Sequence, residues 1–491
     1  MPGGVRRPDR AVPRHGAVLR LGSSRPGPAV LPDLGPHPHP RRRPARAERR
    51  RGQRRRHRHH AGHHPGVAVQ QVVGVSPPVG PIAVVGASLA GLTAVQTLVE
   101  SPAVTSVTVI GAEAQLPYDR PPLSKEVLRG VWDPERVALE TVEDPRVRWT
   151  VGVSATGLAT GDPGGPRVTC SDGSTQAFPG GVVIATGAAP RTLAGADLPG
   201  VHVLRSLDDA LALRADLDET PAHVVVVGGG FIGAEVAAAC VERGLQVTVL
   251  EVQDAPFERV LGAEVGEAVM HEHRTRGVRV RTGTAVAGLH GTGRVESVEL
   301  ADGTSVPADL VVLGLGVVPN TGWLAGSGLA VDNGVECDAS LLAAPGIVAA
   351  GDVARWPNHR FGEFRRVEHW DNAIRQGRHA ALRLLAEHGY GEVTDFSTVP
   401  WVWSDQYQHK LQVVGSTVDF DEVVVAHGST QAQKFLALYR RGDHLVAAVG
   451  FNQAKLVSRY RRLLARPVGW DDALAQLDIP STPPTAASAA V

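Results

Sequence analysis

At 491 residues the chain has room for two to four domains and for sizeable buried cores. Its formal charge is zero, but the first 65 residues hold 17 arginines and three acids, which leaves 33 basic against 47 acidic side chains in the rest. A body with a net charge of about −14 argues against general nucleic-acid binding, and no apolar run free of glycine and charge reaches the ~18 residues of a membrane span.

Three cysteines, Cys170, Cys240 and Cys337, lie far apart, with no C-x-x-C pair and no zinc spacing. No metal site is expected in the folded body, and the cysteine usage points to a reducing, cytoplasmic setting. Cys240 falls on an apolar helical pattern and reads as a small core residue.

Residues 1–78 are rich in Arg, Pro and His with no helical or strand period. This stretch is expected to be a disordered leader, or the result of a start codon assigned too early. A basic arm, a metal-binding tract at His57, His59, His60, His63 and His64, and an organelle transit peptide are the other readings weighed. Arg6-Arg7 is no twin-arginine signal, because Arg14 and Arg20 interrupt the apolar stretch that should follow.

From Pro81 the pattern changes. Ile82-Ala83-Val84-Val85 reads as a buried strand, followed by the loop Gly86-Ala87-Ser88-Leu89-Ala90-Gly91 and an apolar helix. The next strand, Val107 to Ile110, is followed by Glu113, 27 residues beyond Gly86. That is a βαβ unit with a carboxylate near the spacing of a ribose ligand, although Ser88 replaces the middle glycine.

Next comes Leu116-Pro117-Tyr118-Asp119-Arg120-Pro121-Pro122-Leu123-Ser124-Lys125. A lysine held by a Pro-Pro turn just after a dinucleotide fold begins suggests a fixed charge beside a flavin ring. The chain has only four lysines, so one retained here points to a specific need.

The βαβ pattern then recurs. Val224 to Val227 precedes Gly228-Gly229-Gly230-Phe231-Ile232-Gly233, a full G-x-G-x-x-G, and the following strand ends at Glu251, 23 residues beyond Gly228. Glu251 would take both ribose hydroxyls and repel a 2′-phosphate, and Val252-Gln253-Asp254 supply no cation to neutralise one. The second site therefore favours NADH. Three more strand-to-loop segments end at Thr186-Gly187, Gly314 to Gly316, and Gly351-Asp352. The last suits a carboxylate on a flavin ribityl chain, which assigns FAD to the first site. From Val399 a third region alternates like strands and closes in a basic helix near Lys455.

The expected fold class is α/β: two Rossmann-like dinucleotide-binding domains plus a C-terminal α+β domain. The expected boundaries are 79–195 and 312–395 for the FAD domain, 196–311 for the NAD domain, 396–480 for the third domain and 481–491 for a disordered tail.

From about Pro81 to Arg466 the chain resembles the FAD-dependent ferredoxin–NAD(+) reductases, a group related to glutathione reductase but without its redox disulfide. The resemblance rests on Pro117 to Lys125, Ala185-Thr186-Gly187-Ala188-Ala189-Pro190-Arg191, Val367 to Ala373, and Pro400-Trp401-Val402-Trp403-Ser404-Asp405-Gln406-Tyr407. It implies that Gly86, Ser88, Ala90 and Gly91 meet the FAD pyrophosphate and that Glu113 meets the adenosine ribose. Ala155 would meet the adenine. Arg120, Thr186, Gly187, Arg191, Gly351 and Asp352 would surround the phosphate–ribityl region, with Trp370 over the flavin edge. Gly228, Gly230, Gly233, Glu251 and Gly314 would hold NADH. Lys125, near flavin N5, would pair with Glu235, since a lone buried lysine would lose its proton.

The partner implied is a small [2Fe-2S] ferredoxin or similar carrier, docked on a basic face of the third region (Lys434, Arg440, Arg441, Lys455, Arg459, Arg461, Arg462). The enzyme is expected to be a monomer or homodimer without membrane or nucleic-acid partners. A disulfide or peroxide reductase is disfavoured, because no cysteine precedes Cys170. A rubredoxin- or nitrite-reductase-type flavoprotein, and a flavoprotein with a binding role similar to apoptosis-inducing factor, remain as alternatives.

Overall fold

The computed structural model describes residues 77–477. The expectations for the Arg-rich leader fall almost wholly outside them, and those for the tail wholly outside.

Ile82–Val85 is buried at every residue, as a central parallel strand covered on both faces must be. It pairs in parallel with Val107–Gly111 on one side and Gly181–Ile184 on the other. The first sheet has six strands in the order Leu342–Ala344, Ile347–Ala349, Gly181–Ile184, Ile82–Val85, Val107–Gly111, Val147–Val151. Only the Leu342–Ala344 edge is antiparallel. Helix Leu89–Glu100 makes the first crossover, and helix Trp370–Glu387 lies against it. Gly377 permits that approach, because a β-carbon there would stand 2.4 Å from the Ala90 carbonyl oxygen.

The chain leaves this domain through Ala188–Pro190 and returns through Val317–Pro319, which pair antiparallel. Between them lies a second, five-stranded parallel sheet, ordered Arg279–Arg281, Gln246–Leu250, His223–Val227, Leu310–Leu313, Val201–His202. Leu310–Leu313 belongs to this sheet, so Gly314 sits directly at its carboxyl end. Helices Phe231–Glu242 and Ala263–Thr275 cover the face turned toward the third region.

That region is an antiparallel sheet ordered Trp401–Gln406, His409–Gly415, His444–Phe451, Lys434–Arg441, Glu422–Ser429. Helix Ala454–Leu463 packs on one face. The other face is buried against the second domain in one shared core, in which Phe435, Tyr439 and Phe451 meet Phe257, Leu261 and Met270. Each such side chain contributes about 1.5–3 kcal/mol on burial. The Tyr439 hydroxyl adds a 2.7 Å bond to Leu261 O. The third sheet is thereby fixed in place above the start of the Phe231 helix.

Candidate active site

Both glycine loops are close-packed where they turn and open where a ligand would enter. Gly86 has φ +121°, and a β-carbon on it would stand 2.1 Å from Ala185 O; one on Gly91 would stand 1.9 Å from Gly86 O. Gly228, at φ +110°, and Gly233 repeat this, with distances of 2.3 Å to Gly314 O and 2.0 Å to Gly228 O. At Gly230 a β-carbon would meet nothing within 4 Å. Helices Leu89–Glu100, Phe231–Glu242 and Trp370–Glu387 all begin without a side-chain cap, at Ser88, Gly230 and His369. Among the described α-helices only Leu207–Asp218 has a side-chain cap, a capping box of Ser206 and Asp209, so it is the tight glycine turn and not the missing cap that sets the first two helix starts apart. Uncapped N–H groups beside tight glycine turns suit a pyrophosphate, so these two loops fit dinucleotides.

At the first loop Arg120 is the hub. It forms an ion pair with Glu113 at 2.5 Å, its Nε donates to Ser88 Oγ at 3.3 Å, and its Nη1 donates to Arg205 O at 2.6 Å. The Tyr118 hydroxyl donates to Glu113 and accepts from Leu207 N, and burial pushes its ionisation up, so it stays a donor. Asp352 is paired with Arg205 at 2.7 Å, and Gly187 lies beneath the same guanidinium. Gly351, at φ +78°, brings its turn against Ala90. Ala90, Ser88, Arg120 and Gly351-Asp352 thus converge. Arg191 is exposed, with its backbone N–H on Gly316 O, and the Thr186 hydroxyl donates to Asn320 O across the domain crossing. Ala155 opens the strand Ala155–Ala159 and pairs with Cys170.

At the second loop the Glu251 carboxylate accepts from Gly229 N at 2.7 Å and from Gln253 N at 2.8 Å. Two of its roughly four lone-pair positions stay free for a ribose.

Between the loops lies Lys125. Residues Pro121–Ser124 form a single 3₁₀ turn that ends at it. Its Nζ donates to Glu235 Oε2 at 2.7 Å and to Pro121 O at 3.0 Å, and Ser124 Oγ reaches the same carboxylate oxygen at 2.5 Å. Lys125 is 8% exposed and Glu235 4%, so each ion depends on the other. Asp119, two residues before that turn, accepts from Trp370 Nε1 at 2.5 Å, which ties that indole to the Lys125 segment. Burial raises the Asp119 carboxyl, and the Trp370 bond and Lys125 charge counter it.

Sequence reading missed Arg205, for which no motif gave a signal, and Ser404. Ser404 Oγ donates to Glu235 Oε1 at 2.6 Å. Strand alternation sets the directions of its neighbours. Ser404 and Gln406 point inward, while Asp405 points outward to Lys410 at 2.9 Å. Trp370, Trp403 and Trp401 form a row, with ring centroids 6.2 and 6.4 Å apart. Arg461 lies over Trp401 and bonds Asp371. The single basic face expected on the third region is divided. Arg440, Arg441 and Arg461 are each paired with a carboxylate, and Lys434 and Lys455 lie at the opposite end of the sheet from Arg440 and Arg441. No helix among the described residues is long and apolar enough to cross a membrane.

Residues 80–377 match the pyridine nucleotide-disulphide oxidoreductase family, and residues 401–479 match the reductase C-terminal family. The chain is 35% identical over 391 residues to rhodocoxin reductase of Rhodococcus erythropolis, covering 78% of this chain and 89% of the relative. It is also 35% identical to the ferredoxin–NAD(+) reductase component of the anthranilate 1,2-dioxygenase system of Burkholderia cepacia, covering 78% and 94%. The crystal structure of the covalent putidaredoxin reductase–putidaredoxin complex superimposes with a TM-score of 0.74 at 32% identity, covering 82% of this chain and 97% of that one. With two uncapped glycine loops facing a buried Lys–Glu pair, and matches running from residue 80 to 479, this chain belongs to the pyridine nucleotide-disulphide oxidoreductase family, in its ferredoxin-reductase branch.

Proposed function

We propose that this chain is an FAD-dependent ferredoxin–NAD(+) reductase that takes a hydride from NADH and passes single electrons to a small [2Fe-2S] ferredoxin in the cytoplasm. The observation that carries this reading is the buried Lys125–Glu235 pair at the junction of two nucleotide loops, hydrogen-bonded to Ser124, Ser404 and Pro121 O rather than to a thiol. All three cysteines are buried and unpaired, and burial pushes the thiols of Cys240 and Cys337 up to about 12. Neither is a nucleophilic thiolate at neutral pH. That counts against a disulfide relay of the kind the wider family name implies.

Bound FAD would accept the hydride and release the electrons one at a time. Ser88, Ala90 and Arg120 would hold its pyrophosphate by backbone N–H groups and one guanidinium. Glu113 and Asp352 would exchange their arginine partners in part for ribose and ribityl hydroxyls. Lys125, kept charged by Glu235, would stabilise negative charge that develops on the ring. Glu251 would take the NADH ribose and repel a 2′-phosphate.

Anaerobic stopped-flow mixing with NADH, followed by a panel of ferredoxins, tests the reading. Flavin bleaching followed by ferredoxin reduction is expected. Purified protein without flavin absorbance, or reduced enzyme that leaves every [2Fe-2S] ferredoxin oxidised, would overturn it.

A further inference from the structure

Glu235 receives hydrogen bonds from two sides. Lys125 and Ser124 reach Oε2, and Ser404 reaches Oε1. Beyond Ser404 the bonds continue: Gln406 Nε2 donates to Ser404 Oγ at 3.0 Å, His273 Nε2 faces Gln406 Oε1 at 2.8 Å, and the Tyr407 hydroxyl lies 3.1 Å from His273 Nδ1. Four of these five residues are buried, with Glu235, His273, Ser404 and Gln406 all at 4% exposure or less. Tyr407 alone reaches the rim, in left-handed backbone at φ +55° and with the Arg276 guanidinium over its ring.

The chemistry of the links fixes their direction. The one proton of the Ser404 hydroxyl is committed to the carboxylate, so Ser404 accepts from Gln406. The Gln406 amide therefore offers its oxygen to His273, which must carry its proton on Nε2 and leave Nδ1 to accept from Tyr407. Only a neutral imidazole fits, and burial holds His273 down at about 4. Every donor in the row points toward Glu235. The amide in the middle is a poor proton carrier, so the row orients groups rather than conducting protons. It also crosses the molecule: Lys125 lies in the first domain, Glu235 and His273 on two helices of the second, and Ser404 and Gln406 on the edge strand of the third, with Tyr407 in the turn just past its end.

We propose that Ser404, Gln406 and His273 are positioning residues for the hydride-accepting site: they hold the Glu235 carboxylate aimed at Lys125, and they make that arrangement depend on the seating of the third domain against helix Ala263–Thr275. This rests on the reading that Lys125 acts beside the flavin.

Two measurements test it. In the unsubstituted protein, nitrogen-15 NMR of His273 at pH 7 should show one neutral tautomer, protonated at Nε2; a proton on Nδ1, or a charged ring, would overturn the directional row. In stopped flow, Ser404→Ala should slow flavin reduction by NADH about tenfold while leaving reoxidation by ferredoxin unchanged, and Ser404→Thr should restore the rate. In a Lys125→Met background, Ser404→Ala should have no further effect. A full additional loss there, or an equal slowing of both half-reactions, would refute positioning through Glu235. If Lys125→Met itself changes nothing, the functional reading fails instead.

Discussion

Replacing Lys125 by Met separates what this side chain does for folding from what it does for chemistry. The substitution removes an ammonium 2.7 Å from Glu235 and leaves a carboxylate at 4% exposure without its counter-ion. Breaking a buried pair from one side costs about 3–5 kcal/mol. Glu235 keeps the Ser124 and Ser404 hydroxyls as donors, which places the loss at the lower end, about 3 kcal/mol. The effect on chemistry should be larger than on affinity. Loss of one preorganised group facing a developing charge slows a reaction about 10²–10³-fold. Anaerobic stopped flow, following flavin absorbance after mixing with saturating NADH, should show flavin reduction slowed by at least about a hundredfold with FAD retained. The double variant Lys125→Met, Glu235→Gln no longer buries an unpaired charge. It should recover most of the urea stability and none of the rate. A flavin-reduction rate within about twofold of the parent in FAD-loaded Lys125→Met would remove Lys125 from the mechanism.

Three further outcomes follow from the same geometry. Glu251→Ser should raise kcat/KM for NADPH by about tenfold or more while weakening NADH use, since the repelling carboxylate and a ribose acceptor are both lost; unchanged selectivity in steady-state assays would refute the ribose role. Gly233→Ala puts a methyl 2.0 Å from Gly228 O, so the helix must move off the strand; NADH titration should show affinity falling at least about tenfold with FAD still bound, and unaltered binding would count against the loop assignment. His273 is held neutral, with its ionisation lowered to about 4 by burial. Because the unfolded chain binds the proton first, its contribution is present above about pH 6.5 and is lost as pH falls toward 4. Urea titrations of parent and His273→Gln should therefore differ in their pH slope by about 2 kcal/mol between pH 7 and pH 5, and parallel slopes would show that His273 is not buried neutral.

The two nucleotide folds were legible because local rules determine them. Ile82–Val85 and Val224 to Val227 are fully buried apolar runs that open directly into glycine turns whose neighbours tolerate no β-carbon. Glu235 was legible only through the family resemblance: a buried lysine requires an acid, but no local rule singles out the one on helix Phe231–Glu242. What escaped was whatever depends on contacts between distant segments. Arg205 lies 147 residues from Asp352, and nothing in its own neighbourhood marks it. The docking face was read from a count of basic residues near the C-terminus, but a strand spreads Lys434 and Arg440 to opposite ends, and carboxylates on other elements pair with Arg440, Arg441 and Arg461.

The third domain is where these lines of reasoning meet. A lysine charge buried between two nucleotide loops needs a carboxylate, and a carboxylate at 4% exposure needs donors. The first domain supplies Ser124 and the Pro-Pro turn, and the second supplies Glu235 itself, but among the described residues the donor to Oε1 is Ser404 on the edge strand of the third sheet. That strand also carries Trp403 against Trp370, whose indole is tied to the Lys125 segment through Asp119. The shared core of Phe435, Tyr439 and Phe451 against the second domain is then a condition of the site's electrostatics. Weakening that core by Phe435→Ala, which removes about 3–5 kcal/mol of packing, should slow flavin reduction before it releases FAD. Loss of FAD with the flavin-reduction rate of the remaining holoenzyme unchanged would show that the third domain does not support the pair.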